Sequence, residues 1–221
     1  MKFQCRHCSL CCSDSTMPIN LTLGDIYRIT SFLKTEFSKL FWNHITIFPF
    51  PNPEYPLLYD FELGLRLPCR FRKNQRCSIY KARPLNCRLF PYWLLSNPNK
   101  DGYKEYIGPT RKCIKDYKED SINKKNYLEY KHKVGNIILQ ESSLTEHLFS
   151  KNNLKKSISL PGDLPFPPSI PKQKEIWKIM LCSKKINKVD YKELPHIIAH
   201  ALKDNTFHTV EELEIIDQII T

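Results

Sequence analysis

Several features that would assign a common activity are missing from this sequence. No stretch approaches the roughly 18 consecutive apolar residues that a membrane-spanning helix needs. Only 6 of the 221 residues are glycine, and no glycine-rich phosphate-binding loop is found. The chain has no nucleophile elbow and no obvious pair of catalytic carboxylates. The sequence therefore predicts no membrane span, and it indicates a cofactor site rather than a particular reaction.

A secretory signal is also missing, because the run from Met1 to Cys5 leads directly into a cysteine motif. We therefore expect a cytoplasmic protein. Thiols in the cytosol are kept reduced, so nine cysteines there predict metal or redox chemistry. An odd number would also leave one cysteine outside any full set of disulfides. Disulfides of the kind found in some hyperthermophiles are the alternative.

The charge of the chain is strongly positive, with a formal net charge of +11. Such an excess favours an acidic partner, although metal-bound thiolates carry negative charge that this number ignores. Acidic residues are interleaved with the basic ones, and no helix-turn-helix, zinc-finger or aromatic RNA-binding signature is present. These features disfavour nucleic acid and favour a protein or redox partner.

Three segments can be distinguished along the chain. Residues 1–150 are predicted to form a cysteine-cluster metal-binding domain, residues 151–171 a proline-rich linker, and residues 172–221 a helical extension. A homo-oligomer could form through the helices of the extension, which could instead pack on the first domain. We expect a mainly α fold with a small antiparallel β element (α+β), irregular in the N-terminal domain, where bound metal would hold the loops together.

Local patterns predict four elements. Thr22 and Asp25 have the spacing of a helix cap, with Ile26, Ile29 and Leu33 on one side of the helix that follows. Residues 61–67 alternate apolar and polar, which predicts a half-buried strand. Residues 121–150 have helical periodicity, and a last helix is predicted to begin at Thr209, with Glu212 in capping-box position.

The cysteines carry the strongest signal. Cys5, Cys8 and Cys11 form a C-x2-C-x2-C run that matches the loop around one face of a 4Fe–4S cluster. Cys12 follows directly, and because adjacent side chains point apart it is expected to serve a second centre or another iron of the same cluster. Eight cysteines suffice for two four-thiolate sites, or for one such site and a partly open one. The predicted ligands are Cys5, Cys8, Cys11, Cys12, Cys69, Cys77, Cys87 and Cys113.

These residues also carry a family resemblance, covering roughly residues 3–115. The chain resembles the YkgJ-type CxxCxxCC cysteine-cluster family, which is described as a zinc- or iron-chelating domain and often labelled iron–sulfur protein. One departure from the family pattern is Ser9, where relatives usually have glycine. The resemblance rests on Cys5-x-x-Cys8-x-x-Cys11-Cys12, Leu21-Thr22-x-x-Asp25-Ile26-x-Arg28-Ile29, Pro68-Cys69-x-Phe71, and Cys77-Ser78-Ile79-Tyr80-x-x-Arg83-Pro84-Leu85-x-Cys87-Arg88-Leu89-Phe90-Pro91.

Arg83 and Arg88 flank Cys87 and are predicted to stabilise the charge of a thiolate cluster from just outside it. Ordinary surface arginines are the alternative, since arginine is mostly exposed.

Several functions agree with these features. The first is a protein with one or two iron–sulfur clusters of the 4Fe–4S type, for electron transfer or for support of a redox or modification reaction. The second is a Zn²⁺-stabilised binding module without catalysis. A protein lysine methylase-like enzyme and a metal-handling protein are further alternatives. The candidate enzyme classes are an iron–sulfur oxidoreductase and a protein-modifying enzyme.

Overall fold

The structure is a computed structural model that describes Cys12 and residues 19–41, 43–51, 58–66, 68–90, 124–152, 158–159 and 193–220. The helices are α1 (Leu23–Leu33), α2 (Phe37–Leu40), α3 (Leu85–Leu89), α4 (Lys124–Lys151), α5 (Leu194–Asp204) and α6 (Val210–Asp217). The strands are β1 (Ile19–Asn20), β2 (Ile45–Pro51), β3 (Leu58–Leu65), β4 (Arg72–Lys73), β5 (Arg76–Cys77) and β6 (Ile158–Ser159). A short 3-10 turn, Gln218–Ile220, follows α6.

Helix α1 begins at a capping box. The Asp25 backbone N–H donates to the Thr22 hydroxyl at 3.0 Å, and the Thr22 N–H donates to the Asp25 carboxylate at 3.2 Å. These bonds satisfy N–H groups that the first turn leaves without an intrahelical partner. Ile26 and Ile29 are fully buried, whereas Leu33 at the end of the helix is exposed. The helix predicted to open at Thr22 is confirmed.

Strand β3 is the centre of an antiparallel sheet, in which it pairs with β1, β2 and β6. Ile45 and Ile47 of β2 lie opposite Leu65 and Leu63 of β3. All four side chains are buried, so one face of the sheet covers the core. The strand predicted over residues 61–67 is confirmed, although β3 begins earlier than the alternating pattern does.

The main hydrophobic core lies between this sheet, helices α1 and α2, and the C-terminal helix α5. Cys69 and Cys77 pack against its edge. The buried side chains of this core are Leu21, Leu23, Ile26, Ile29, Phe37, Leu40, Phe41, Ile45, Ile47, Leu63, Leu65, Phe71, Ile79, Phe149, Leu194, Ile198, Ala201 and Phe207. Because α5 contributes to it, the C-terminal extension packs on the first domain.

A second core joins α3, α4 and α6. Its buried side chains are Leu85, Leu89, Tyr130, Val134, Ile137 and Leu213. The helix predicted over residues 121–150 is confirmed as α4. The capping box predicted at Thr209 is also confirmed, since the Thr209 hydroxyl accepts from the Glu212 N–H and the Glu212 carboxylate accepts from the Thr209 N–H.

The predicted linker, residues 151–171, lies largely outside the described residues. Within it, Ile158 and Ser159 form β6 and pair with β3. The domain boundaries stay a prediction, but the α+β fold class, mainly helical with small antiparallel sheets, is confirmed. Among the described residues, no helix is both long enough and apolar enough to cross a membrane.

Candidate metal centre

A backbone hydrogen bond brings Cys12 next to Cys69. The Cys69 N–H donates to the Cys12 carbonyl oxygen at 2.8 Å. Because this bond joins main-chain atoms, it places the two residues side by side whatever their side chains do. The end of the N-terminal cysteine run therefore lies beside the first of the later cysteines.

A tight hairpin positions Cys77. Asn74 and Gln75 connect β4 to β5 with φ angles of 48° and 63°. Two successive positive φ angles are typical of a type I′ turn, whose twist matches that of the strands it joins. Arg72 lies opposite Cys77 in this hairpin, and its N–H donates to the Cys69 carbonyl oxygen at 3.2 Å. The backbone of Arg72 thus connects to Cys69 by a hydrogen bond and to Cys77 by strand pairing.

Cys87 lies in the five-residue helix α3, which is too short to be stable alone. Two contacts hold it in place. The Leu85 N–H donates to Asp25 Oδ1 at 2.9 Å, and Asn86 Nδ2 donates to the Asn20 carbonyl oxygen at 3.1 Å. The position of Cys87 is therefore set by β1 and by the start of α1.

The four described cysteines are thiols that influence one another. Burial raises the pKa of Cys87 well above its ordinary value, and the charges of Cys69, Cys12 and Cys77 raise it further. Burial also raises the pKa of Cys69 to about 12, and Cys12 and Cys77 add to this effect. The four groups thus share one neighbourhood. Since thiolate is the form that binds metal, a cation among them would supply the positive charge that ionisation requires.

The four thiols are half-buried, and thiols in partly apolar surroundings fit a thiophilic metal such as zinc, or iron in an iron–sulfur cluster. Within the described ranges, no group of three or more His, Cys, Asp or Glu side chains is placed to hold a metal ion by itself. The other predicted ligands, Cys5, Cys8, Cys11 and Cys113, lie outside the described residues, as does Cys182. The full ligand set stays a prediction. The structure places Cys69 beside Cys12 through their backbone bond, and Cys77 and Cys87 within electrostatic range of them.

Arg83 and Arg88, predicted to stabilise the cluster charge, both contact Asp217 of α6. Arg88 Nη1 donates to Asp217 Oδ2 at 2.6 Å and Arg83 Nη2 at 3.1 Å, while the Tyr130 hydroxyl donates to Oδ1 at 3.0 Å. Arg83 also lies over the Tyr80 ring, 4.2 Å from its centroid. Their predicted effect on a metal cluster stays a prediction, but both guanidinium groups tie the segment around Cys87 to the C-terminal helix.

A buried ion-pair network around Arg28 was missed by sequence reasoning. Arg28 donates to Asp25 Oδ1 at 2.8 Å and to both carboxylate oxygens of Glu141 at 2.6 and 2.9 Å. Burial opposes the charge of Arg28, but the carboxylates of Asp25 and Glu141 outweigh it and raise its pKa. Asp25 also accepts the Leu85 N–H, so the network reaches the helix that carries Cys87.

A signal for this network was present in the sequence. Glu141 follows Val134 and Ile137 at helical spacing, which places a carboxylate on the buried face of α4. A charge on such a face requires a partner. Arg28, in the segment that carries the family resemblance, is that partner.

Comparison with known proteins gives a family match. The family model CxxCxxCC, described as "Putative zinc- or iron-chelating domain", matches residues 4–129. The chain is also similar to "Uncharacterized protein MJ0661" of Methanocaldococcus jannaschii, with 27% identity over 149 residues, covering 67% of this chain and 77% of that protein. No solved structure gives a significant match.

Proposed function

Because the chain belongs to the CxxCxxCC family of zinc- or iron-chelating domains, we propose that its cysteines hold one or two iron–sulfur clusters of the 4Fe–4S type, each of which takes four thiolates. The observation that supports the proposal is the backbone hydrogen bond from Cys69 to Cys12, at the end of a C-x2-C-x2-C run. Cys77 and Cys87 lie within electrostatic range of these two thiols. Such a run is the ligand pattern of 4Fe–4S clusters, and three thiols in it exceed what a zinc knuckle normally takes from one loop.

The residues of the chain have separate parts in this proposal. Cys12, Cys69, Cys77 and Cys87 supply thiolates, and the remaining thiolates come from Cys5, Cys8, Cys11 and Cys113. The buried edge of the core excludes water on the side of Cys69 and Cys77. A bound cluster would accept and donate single electrons, either for electron transfer or to support a redox or modification reaction on a partner.

Metal analysis of protein purified without oxygen tests this proposal. We expect brown protein that contains iron and acid-labile sulfide in similar amounts, with a visible absorption band that bleaches on reduction. Colourless protein with stoichiometric zinc and no sulfide would contradict the iron–sulfur assignment while leaving metal binding intact.

A structural zinc site is the second candidate, and the packing of Cys69 and Cys77 against the core favours it. Closed four-cysteine zinc sites stabilise a fold and carry no reaction. The same metal analysis separates the two candidates.

Single Cys→Ser variants test the ligand assignment whichever metal is bound. We expect Cys69→Ser and Cys87→Ser to lose metal, whereas Cys182→Ser, outside the predicted set, keeps the wild-type content. A smaller loss in Cys12→Ser than in Cys87→Ser would support a separate centre for Cys12. Full metal content in both Cys69→Ser and Cys87→Ser would contradict the assignment.

A further inference from the structure

The β4–β5 hairpin, residues 69–77, presents a group of exposed cations. Arg70, Lys73 and Arg76 are all exposed, and Arg72 beside them is exposed as well. The sequence contains no aspartate or glutamate between Glu62 and Asp101. The hairpin therefore presents exposed basic side chains and lies in a long segment that contains no acidic residue.

This hairpin departs from the usual rules of strand pairing. Lys73 and Arg76 lie directly opposite each other across β4 and β5, and like charges in that position are destabilising. Gln75 adopts a positive φ of 63°, a conformation that normally favours glycine, asparagine or aspartate. Residues that destabilise their own strand or turn are expected where function, rather than stability, has selected them.

Three other cations of the segment have acidic partners on helix α6. Lys81 lies 3.4 Å from the Glu214 carboxylate, and both Arg83 and Arg88 contact Asp217. Among the described residues, by contrast, no carboxylate forms a salt bridge with Arg70, Lys73 or Arg76, and Arg70 contacts only the Asn43 amide oxygen, at 3.4 Å. Among the described residues, the acidic side chains of α6 therefore neutralise Lys81, Arg83 and Arg88 but not Arg70, Lys73 or Arg76.

We propose that the β4–β5 hairpin is a docking site for an acidic protein partner, held by Arg70, Lys73 and Arg76. The placement of this partner beside a metal centre rests on the function proposed above, because Cys69 and Cys77 flank the hairpin. A small, charged surface of this kind suits a transient partner that must approach the centre and leave again, since surface charges accelerate association more than they tighten binding.

The surroundings of the hairpin favour a protein over a nucleic acid. Single-stranded nucleic acids are usually held by aromatic rings on which bases stack. The one aromatic residue of the hairpin, Phe71, is buried against His44, and the nearby exposed Tyr80 has the Arg83 guanidinium over its ring. The guanidinium groups of Arg70 and Arg76 can form paired hydrogen bonds with carboxylates.

The test uses the full-length, metal-containing protein and a fluorescein-labelled polyglutamate peptide as an acidic probe. Fluorescence anisotropy at about 50 mM salt, where surface charges are weakly screened, measures the affinity. We expect the triple variant Arg70→Gln/Lys73→Gln/Arg76→Gln to bind at least about tenfold more weakly than wild type. The matched control, Lys39→Gln/Lys151→Gln/Lys203→Gln, removes the same charge from exposed sites elsewhere and should lose less than about threefold.

Three results would overturn the docking proposal: no binding of the peptide by wild type, equal losses in both triple variants, or tighter hairpin-dependent binding of a single-stranded RNA probe than of the peptide. Metal content is measured on the same samples. Hairpin-dependent binding by a protein that contains no metal would support the docking site and refute the proposed function, so the two failures are distinguishable.

Discussion

Gly24 shows how a single residue without a side chain permits the buried network. It lies in the first turn of α1, and a Cβ built at this position would overlap the Glu141 carboxylate. That carboxylate is held by Arg28 and by the Thr22 hydroxyl, so it has little freedom to move aside. The close approach of α4 to α1 therefore requires glycine for reasons of space.

Replacing Gly24 with alanine is expected to destabilise the protein by about 3 kcal/mol, because displacing Glu141 leaves Arg28 as an incompletely paired buried charge. Urea unfolding followed by circular dichroism measures the change. Gly135→Ala is the matched control, since α4 leaves open space around that position and alanine favours helix by up to about 1 kcal/mol. Equal effects of the two substitutions would contradict this explanation.

His44 couples stability to pH. Its ring stacks on Phe71 with 4.6 Å between centroids, and its Nδ1 has no hydrogen-bond partner among the described residues. Burial, followed by the charges of Arg70 and Lys73, lowers its pKa below 6.5. Because the folded state resists protonation, the contribution of neutral His44 to stability is complete above pH 6.5 and is lost as the pH falls below it.

His44→Phe keeps the stacked ring but cannot be protonated. We expect wild type to lose more stability than this variant between about pH 7.5 and about pH 5.5, on either side of the ordinary histidine pKa. Urea midpoints at the two values test this. Parallel losses in both proteins would assign the acid sensitivity to other groups, such as metal-binding thiols.

At the scale of elements, the Asp217 contact fixes helix α6 against α3 and α4. Its carboxylate accepts hydrogen bonds from Arg83, Arg88 and Tyr130, and Arg88 is 2% exposed. Burial, followed by repulsion from Arg83, lowers the pKa of Arg88, and the Asp217 carboxylate opposes this shift. The charge of Arg88 is thus tolerated in the second core because α6 supplies its counter-charge.

Asp217→Asn keeps the shape of this side chain and removes its charge. We expect a loss of about 3 kcal/mol, as for one partner of a buried ion pair, and faster amide hydrogen exchange in α6 and α3. Glu211→Gln, at an exposed position in the first turn of the same helix, is the control and should cost about 0.5 kcal/mol. Unchanged exchange in α3 would show that α6 does not support the segment around Cys87.

Elements with local signals were predictable from the sequence, and elements set by distant contacts were not. The capping boxes at Thr22 and Thr209 and the periodicity of α4 lie within a few residues, so the sequence alone indicates those helices. Strand β2 contains Pro49 and Pro51 and lacks alternation, and it is ordered by pairing with β3. The two roles of Asp25, as a cap and as acceptor for the Leu85 N–H, illustrate the difference, since only the first is local.

The same distinction applies to the candidate site. Its cysteine content was predictable because residue type and spacing indicate metal chemistry. The hairpin turn, the bond from Cys69 to Cys12 and the support of α3 by Asp25 depend on tertiary contacts between distant segments. No rule of local sequence specifies such pairings.

Over the whole molecule, helices α4 and α6 are stabilised by different interactions from the cysteine-flanked β4–β5 hairpin. Helices α4 and α6 share a hydrophobic core with α3, whereas the hairpin consists of two-residue strands with exposed charged side chains. Two-residue strands contribute little stability. The proposed metal would therefore contribute most to the order of the β4–β5 hairpin, residues 69–77, and least to α4 and α6.

Removal of the metal by a chelator under reducing conditions tests this division. A metal at about 1,000 times its dissociation constant contributes about 4 kcal/mol to the folded state, and this contribution disappears on chelation. We expect amide exchange to accelerate in the hairpin, residues 69–77, while the middle of α4 keeps most of its protection. Reconstitution with iron and sulfide, or with zinc if zinc is the bound metal, should restore the original pattern. Uniform acceleration along the chain would instead mean that the two cores unfold together once the thiolates lose their cation. In that case the buried contacts of Asp25 and Asp217 with α3 would be strong enough to make metal binding and the folding of the whole chain a single equilibrium.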